Sequence, residues 1–413
     1  ANSYNNIAEI LDDLGKYDLA LEYLEKCLKI RLSKLGDIHP DTADVLVNIG
    51  LLWRRKGKYK KALKFYEKAE IIIRNNYGDK HSKLAEILNN ISVVYRIQGN
   101  YSNSLEFIQK CLSIELNVFG KNHNKTAITY NNFGKLCTSY GLYSYALEAY
   151  EDALEIRLKI NGKQDPKVGV VYSNLGQLFY RKANEFGNLE YYKKSLDFHE
   201  KALDIRKDVF GIDHPDTANS FSKIGVVLSH LNDGNKKALE YCNKALKIRQ
   251  KVFEKDNPRI ASSFHDMGLI LSKTGNNLEA LKYHNKSLKI RLKALNENNP
   301  DVTESRYLIG LIYKKIGKFT QSINILKLGY KLDREIHKSN RFDIDGMFPM
   351  VIAECFEELK NTEEAINYYT ESAENTKNDN KGEDYNKAAK KAFSLAKENN
   401  LEHTLPEWIK NLY

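Results

Sequence analysis

Proline occurs only seven times in 413 residues, so almost nowhere is the chain barred from being helical. Cysteine occurs five times. The count is odd, the residues are widely spaced and no CxxC pair exists, which argues against a disulfide framework or a zinc knuckle and for a reducing compartment. We therefore expect a cytoplasmic protein, in which the Asn-x-Ser/Thr sites at Asn90, Asn100, Asn124 and Asn285 carry little weight. No apolar run approaches the roughly 18 residues a membrane span needs; stretches such as Val45–Trp53 are interrupted by Asn48, and membrane insertion is not expected. Phosphate-cradling glycine loops, HExxH and GxSxG are all missing, and no cysteine stands in a motif with His and Asp. The acid pairs Asp12-Asp13 and Glu357-Glu358 fall at the polar ends of helices. We expect no enzyme, no cofactor and no metal. The sequence opens on Ala-Asn-Ser-Tyr with neither Met nor a basic-then-apolar leader, which leads us to expect residues upstream of it.

What is present is repetition. GDIHPDTA at 36–43 returns as GIDHPDTA at 211–218, with weaker echoes GDKHSKLA at 78–85, GKNHNKTA at 120–127 and GKQDPKVG at 162–169. A small residue opens the second half of each unit: Ala20, Ala62, Ser104, Ala146, Ser195, Ala238, Ala280, Ser322 and Ala365. These anchors are 42, 42, 42, 49, 43, 42, 42 and 43 residues apart. Length therefore counts copies rather than globular domains. Twelve residues before most anchors lies another small residue (Gly50, Ser92, Gly134, Gly268, Gly310), and seven after them a third (Cys27, Ala69, Cys111, Ala153, Ala202, Ala245, Ser287, Gly329). Small residues at matching heights let two helices approach closely.

This pattern, as in GLLWRRKGKYKKALKFYEKA at 50–69, resembles the tetratricopeptide repeat. The 42-residue period, the DxHPDTA linker and the runs YNNIA, LNNIS and YNNFG resemble the kinesin light chain and nephrocystin-like subgroup. The resemblance implies an all-α, right-handed superhelical solenoid of about nine helix-turn-helix repeats over residues 1–375, closed by a capping helix and tail at 376–413. The seven extra residues of the fifth repeat fall within 181–192. They predict a helical pair longer by about one turn each, with Phe186 and Leu189 packed at its tip. In the tail, 384–399 reads as a capping helix sealing the array through Ala388, Ala392, Phe393 and Leu395, with Trp408 as an anchor.

Most columns read as packing. His39, His81, His123 and His214, in phase with Asp165, Asn257 and Asn299, precede helix starts and read as caps. Equivalent residues of neighbouring repeats lie about 10 Å apart, too far to share one zinc ion. His199 and His284 share the column of Tyr66, Tyr150 and Tyr369, and Cys27, Cys111, Cys137 and Cys242 also fill packing columns. Cys355 has no such column and reads as a helix residue of the ninth repeat.

Function is left to the inner face, which the first helix of each pair lines. Two residues before the small column stand Asn6, Asn48, Asn90, Asn132 and Asn174, then Lys223, Asp266, Leu308 and Val351. Asn offers the donor and acceptor that an extended peptide backbone needs; equally, it suits a bond between repeats that sets their stacking. Kinesin light chain-like arrays hold cargo peptides in such a groove, and the resemblance implies the same here. Near the ends of first helices stand Arg54, Arg55, Arg96 and Arg181, with Lys135 a turn earlier and Lys273, Lys314 and Lys315 further on, while Asp12, Asp13, Glu354, Glu357 and Glu358 hold these positions at the two ends of the array. With a net charge of +10, this suggests an acidic peptide partner, although basic residues also favour helix C-termini. Nucleic acid is not expected, since the charge is diluted along the chain and no binding motif appears. A carboxylate-clamp co-chaperone is disfavoured by Glu86, four residues before Asn90. We expect a non-enzymatic adaptor or scaffold that binds a peptide in its groove. The alternatives are a regulatory sensor array attached to an absent N-terminal effector domain, or an assembly scaffold using convex or terminal surfaces.

Overall fold

The computed structural model describes residues 1–231, 234–297, 299–336, 347–376 and 383–412; of the polar stretch at 376–384, residues 377–382 lie outside it. Among the described residues every element is helical. The pairs are α1 (Asn2–Asp13) with α2 (Tyr17–Leu35), α3 (Pro40–Arg55) with α4 (Tyr59–Tyr77), and α5 (Ser82–Ile97) with α6 (Tyr101–Phe119). There follow α7 (Asn124–Tyr140) with α8 (Tyr143–Asn161), α9 (Pro166–Phe186) with α10 (Leu189–Phe210), and α11 (Pro215–Leu228) with α12 (Asn235–Val252). The last pairs are α13 (Pro258–Lys273) with α14 (Asn277–Ala294), α15 (Pro300–Lys315) with α16 (Phe319–Ile336), and α17 (Met347–Glu358) with α18 (Thr362–Thr376), before α19 (Glu383–Glu398) and the short α20 (Glu407–Lys410).

The linker residues cap the first helices. His39 Nδ1 accepts the Asp41 N–H at 3.1 Å, and His81, His123 and His214 do the same for Lys83, Lys125 and Asp216. Asp165, Asn257 and Asn299 cap through a carboxylate or amide oxygen instead. Each such bond satisfies a helix-end donor and is worth about 1 kcal/mol. Three of the imidazoles also stack on a ring four residues earlier, on Tyr77, Phe119 and Phe210.

Within most pairs the small residue of the first helix makes room for a side chain of the second, a ring in four of them, the Cys242 sulfur at Gly225 and Leu326 at Gly310. A Cβ on Gly134 would lie 2.6 Å from the Tyr150 ring, so only glycine admits that ring. Gly50 admits Tyr66 in the same way, Gly176 admits His199 and Gly268 admits His284. Ser92 and Ser104 meet across the third pair at 3.0 Å.

The seven extra residues are absorbed wholly into helix. α9 and α10 have 21 and 22 residues, against 17 and 19 in α7 and α8, and both turns keep two residues. One expectation fails: Phe186 and Leu189 are exposed, at 59% and 49%. The added turns reach past α8 on one side and past the 14-residue α11 on the other, so no helix covers them. Phe186 meets only ring edges of Tyr143 and Tyr191. At the C-terminus, Ala388, Ala392 and Ala396 of α19 are fully buried together with Ile409, while Phe393 and Leu395 are partly buried against the same cluster. Trp408 stacks on Tyr385.

The array closes on itself. Asn257 Nδ2 donates to the Leu14 carbonyl at 2.8 Å and Lys16 pairs with Glu254 at 2.7 Å. The tight turn at Gly15, with φ +75°, lies against Asn257 and Pro258, and the equivalent turn at Gly57 lies against Asn299. Both contacts have the same separation in sequence, slightly under six repeats, so that separation is one superhelical turn and the second turn rests on the first.

Candidate peptide groove

First helices touch from one repeat to the next, α5 with α7, α7 with α9 and α11 with α13, which places them on the inner side of the curve. The asparagine column lies there, and it bonds to itself. Asn48 Nδ2 donates to Asn5 Oδ1 at 2.8 Å, Asn132 to Asn89 at 2.9 Å and Asn174 to Asn131 at 2.6 Å. The acceptor is always the residue just before the column position of the preceding repeat, which explains the Asn-Asn runs. At Asn90 that acceptor is replaced by Val47, and this rung is missing. Asn6 is exposed at the start of the array. Asn48, Asn132 and Asn174 thus each commit one N–H to stacking, and what they retain for a ligand is Oδ1 and the second N–H.

The acidic ends of the array neutralise their neighbours. Asp12, raised in pKa chiefly by burial, pairs with Arg55 at 2.9 Å, and Glu354 pairs with Lys314. Arg55 is therefore a stacking residue.

Between these ends the charges converge. Arg96 of α5, Lys135 of α7, Asn174 and Arg181 of α9, and Lys223 of α11 line one cavity of about 370 Å³, joined by Thr138, Ser139 and Gln177. No carboxylate is among its lining residues. Arg96 reaches Ser139 at 3.4 Å, and burial lowers its pKa, with Arg54 and Arg181 adding to the effect. Burial pushes Lys135 down to about 8, helped by Arg96 and Arg54. Five of the eleven residues singled out in the sequence meet here; Asn6, Asn48, Asn90, Asn132, Arg54 and Arg55 lie outside the lining.

A second cavity, of about 430 Å³, shares Lys223 and Asn219 with the first and has Arg249, Arg291, His265, Asp266 and Glu304 in its walls. Its arginines were missed in the sequence. They come from second helices and are buried, Arg249 at 5% and Arg291 at 3% exposure. Each donates to a serine fourteen residues on: Arg206 to Ser220, Arg249 to Ser263 and Arg291 to Ser305, all at 2.6 Å. The Nε atoms of Arg249 and Arg291 and Nδ1 of His265 have no protein partner. Burial, helped by Arg291, pushes His265 down to about 4. The signal was the Ile-Arg pair eleven residues after the anchor, at Arg157, Arg206, Arg249 and Arg291. A third hollow, of about 300 Å³, includes Leu308, Tyr180 and His230. Along one column, then, the groove passes from amide at Asn174 to cation at Lys223, anion at Asp266 and hydrocarbon at Leu308.

The family model for the tetratricopeptide repeat matches residues 1–75, 41–114, 83–159, 230–293 and 259–335, and a second model of the same description matches 168–216. The chain belongs to the tetratricopeptide repeat family. Solved structures share its fold, two Rap structures among them. One is a Rap protein complexed with Competence and Sporulation Factor (14% identity, TM-score 0.53, covering 87% of this chain and 98% of that one). The other is the Rap conjugation gene regulator of the plasmid pLS20 in complex with the Phr* peptide (21% identity, TM-score 0.54, covering 71% and 74%). The structure of BtubC (BKLC) from P. vanneervenii also aligns, at 22% identity and TM-score 0.44 over 58% of this chain and 91% of that one. No curated protein sequence matches significantly. Among the described residues no helix is long and apolar enough to cross a membrane.

Proposed function

We propose that this repeat protein is a non-enzymatic adaptor whose first-helix groove holds an extended, acidic segment of a partner protein. The observation that carries the reading is the cavity in which Arg96, Lys135, Arg181 and Lys223 meet with no carboxylate in the lining. Four like charges drawn together at the cost of one lysine's proton affinity are suited to an anion. The ladder's remaining Oδ1 acceptors and second N–H donors, with the whole amide of Asn90, are suited to the N–H and C=O groups of a peptide backbone along the same face. The two Rap structures, whose fold this chain shares, hold a peptide or factor, which supports a peptide as the occupant. Arg54, outside the cavity, would steer the encounter more than hold the complex.

The test is a fluorescent peptide library titrated against the full chain. Asp/Glu-rich members should bind and Lys/Arg-rich members should not, with affinity falling as salt rises. Equal binding of both classes, or binding of acidic members unaltered by Lys223→Glu, would overturn the assignment.

A further inference from the structure

We propose that the cationic cavity between α5, α7, α9 and α11 is a phosphoryl site that reads a phosphorylated side chain in the bound segment. The inference rests on the groove reading and narrows it. A carboxylate brings one negative charge and two acceptor oxygens, whereas a phosphomonoester brings about −1.5 to −2 and three acceptors. The cavity is built for the larger demand. Two lysines and two arginines line it, from four successive first helices, so their convergence comes from the superhelix and not from a local run of sequence. Between them stand the hydroxyls of Ser139, Ser173 and Tyr150 and the amides of Gln177 and Asn219, enough donors to occupy three oxygens once the cations have taken the charge; the Thr138 hydroxyl is already spent on the Gly134 carbonyl. Lys135 and Lys223 make no ion pair with any described residue. Lys135 holds its proton weakly beside Arg96 and Arg54, and a dianion would reverse that by supplying the missing opposite charge. The cavity, at about 370 Å³, exceeds what a free phosphate fills and adjoins the second cavity, with which it shares Lys223 and Asn219 in its wall. Both features favour a phosphate carried on a chain over a free ion.

The experiment uses the full chain and three matched peptide libraries that differ only at a fixed central residue: phosphoserine, serine or glutamate. Phosphoserine members should bind about tenfold tighter than their glutamate counterparts, and Lys135→Met or Lys223→Met should erase that preference while leaving helicity unchanged. In the same titrations the Lys135 ammonium, followed by NMR, should titrate at higher pH when the phosphopeptide is bound, and inorganic phosphate alone should bind far more weakly. Glutamate members binding as well as phosphoserine members would overturn the phosphoryl site and leave the groove reading standing. No binding by any library would sink both. Inorganic phosphate binding as tightly as the phosphopeptides would reassign the site to a free anion.

Discussion

The two halves of the inner column behave differently. From α1 to α9, at every step but the one at Asn90, an amide in one repeat bonds to an amide in the next, and the repeats are laced together along their first helices. From α11 onwards the same column carries Lys223, Asp266 and Leu308, none of which bonds to its equivalent, and cavities open at these residues. An amide carries donor and acceptor together, so identical side chains can pair; a column of mixed charge and hydrocarbon cannot. The packing column beneath also changes along the chain: Leu24, Tyr66, Ile108 and Tyr150 fill it up to α8, His199, Cys242 and His284 from α10 to α14, and Leu326 and Tyr369 beyond. The column residues of the first half are spent largely on one another, and those of the second are not.

The largest expected effect separates the halves by acidity. Burial pushes His199 and His284 down to about 3, against an ordinary value of 6.5. The unfolded chain therefore takes up protons from 6.5 downward while the folded chain does not. Stability is full above that pH and falls as the solution is acidified, by about 1.4 kcal/mol per pH unit for each histidine. Down to pH 5 the two together remove about 4 kcal/mol. Hydrogen exchange at pH 5 should show α9–α14 opening while α3–α8 keep the protection they have at pH 7. His199→Tyr with His284→Tyr, which places under Gly176 and Gly268 the ring that Gly50 and Gly134 already admit, should shrink the difference without abolishing it, because burial also pushes His230 and His265 down to about 4. Equal loss of protection in both halves would break the comparison.

A second contrast concerns binding. Lys223→Glu should weaken an acidic peptide about a hundredfold, close to 2.7 kcal/mol, with helicity and thermal midpoint little changed. Asn48→Ala, in the laced half, should leave affinity nearly intact and lower the midpoint. Isothermal titration and thermal melts of the two variants side by side decide it; the reverse assignment would move the binding centre away from the cavity between α5 and α11 to the first rungs of the ladder.

How much of this could be read from residues depends on distance along the chain. The period, the caps and the pairing of a small residue with a ring sixteen residues on, as Gly134 with Tyr150, are relations within one unit, and columns display them. The Asn-Asn runs were visible too, but that the second amide of one repeat donates to the first of the repeat before depends on the angle at which helices stack. The buried arginines were hidden because an Ile-Arg pair near a helix C-terminus reads as a solvated end, whereas Arg249 and Arg291 turn inward onto Ser263 and Ser305. The cavity requires four repeats to curve together. Phe186 and Leu189 misled because apolar residues imply a cover, and at the tip of the longest pair there is none. The contact of Asn257 with Leu14 depends on superhelical pitch, which no single repeat encodes.

That contact joins the halves and gives a smaller effect. Asn257→Ser keeps a capping oxygen for α13 but shortens the side chain that reaches Leu14, so the second turn should lift from the first. Small-angle scattering should show a larger radius of gyration with unchanged helicity. An unaltered scattering curve would mean that the turns are held by other contacts, such as Gly57 against Asn299.

The smallest effect is the sharpest, because it compares two residues of one column. Asn132 donates to Asn89, and Asn132→Ala removes that bond and leaves a half-buried acceptor to water, a loss of about 0.5–1.5 kcal/mol. Asn90 faces Val47 and has no rung to lose, so Asn90→Ala should change stability by no more than a few tenths of a kcal/mol, within the range of an ordinary surface substitution. Affinity should run the other way. Asn90 is the one column amide of the first-half interior whose donor and acceptor are both uncommitted, and its loss should weaken an extended peptide about two- to tenfold. Asn132→Ala forfeits an amide that has already spent one N–H on Asn89 and should weaken it less. Chemical denaturation read beside peptide titration gives both quantities on the same two proteins. If Asn90→Ala destabilises as much as Asn132→Ala, the lacing continues through a partner other than the amide column and the division of the groove into a stacked half and an open half fails at its boundary.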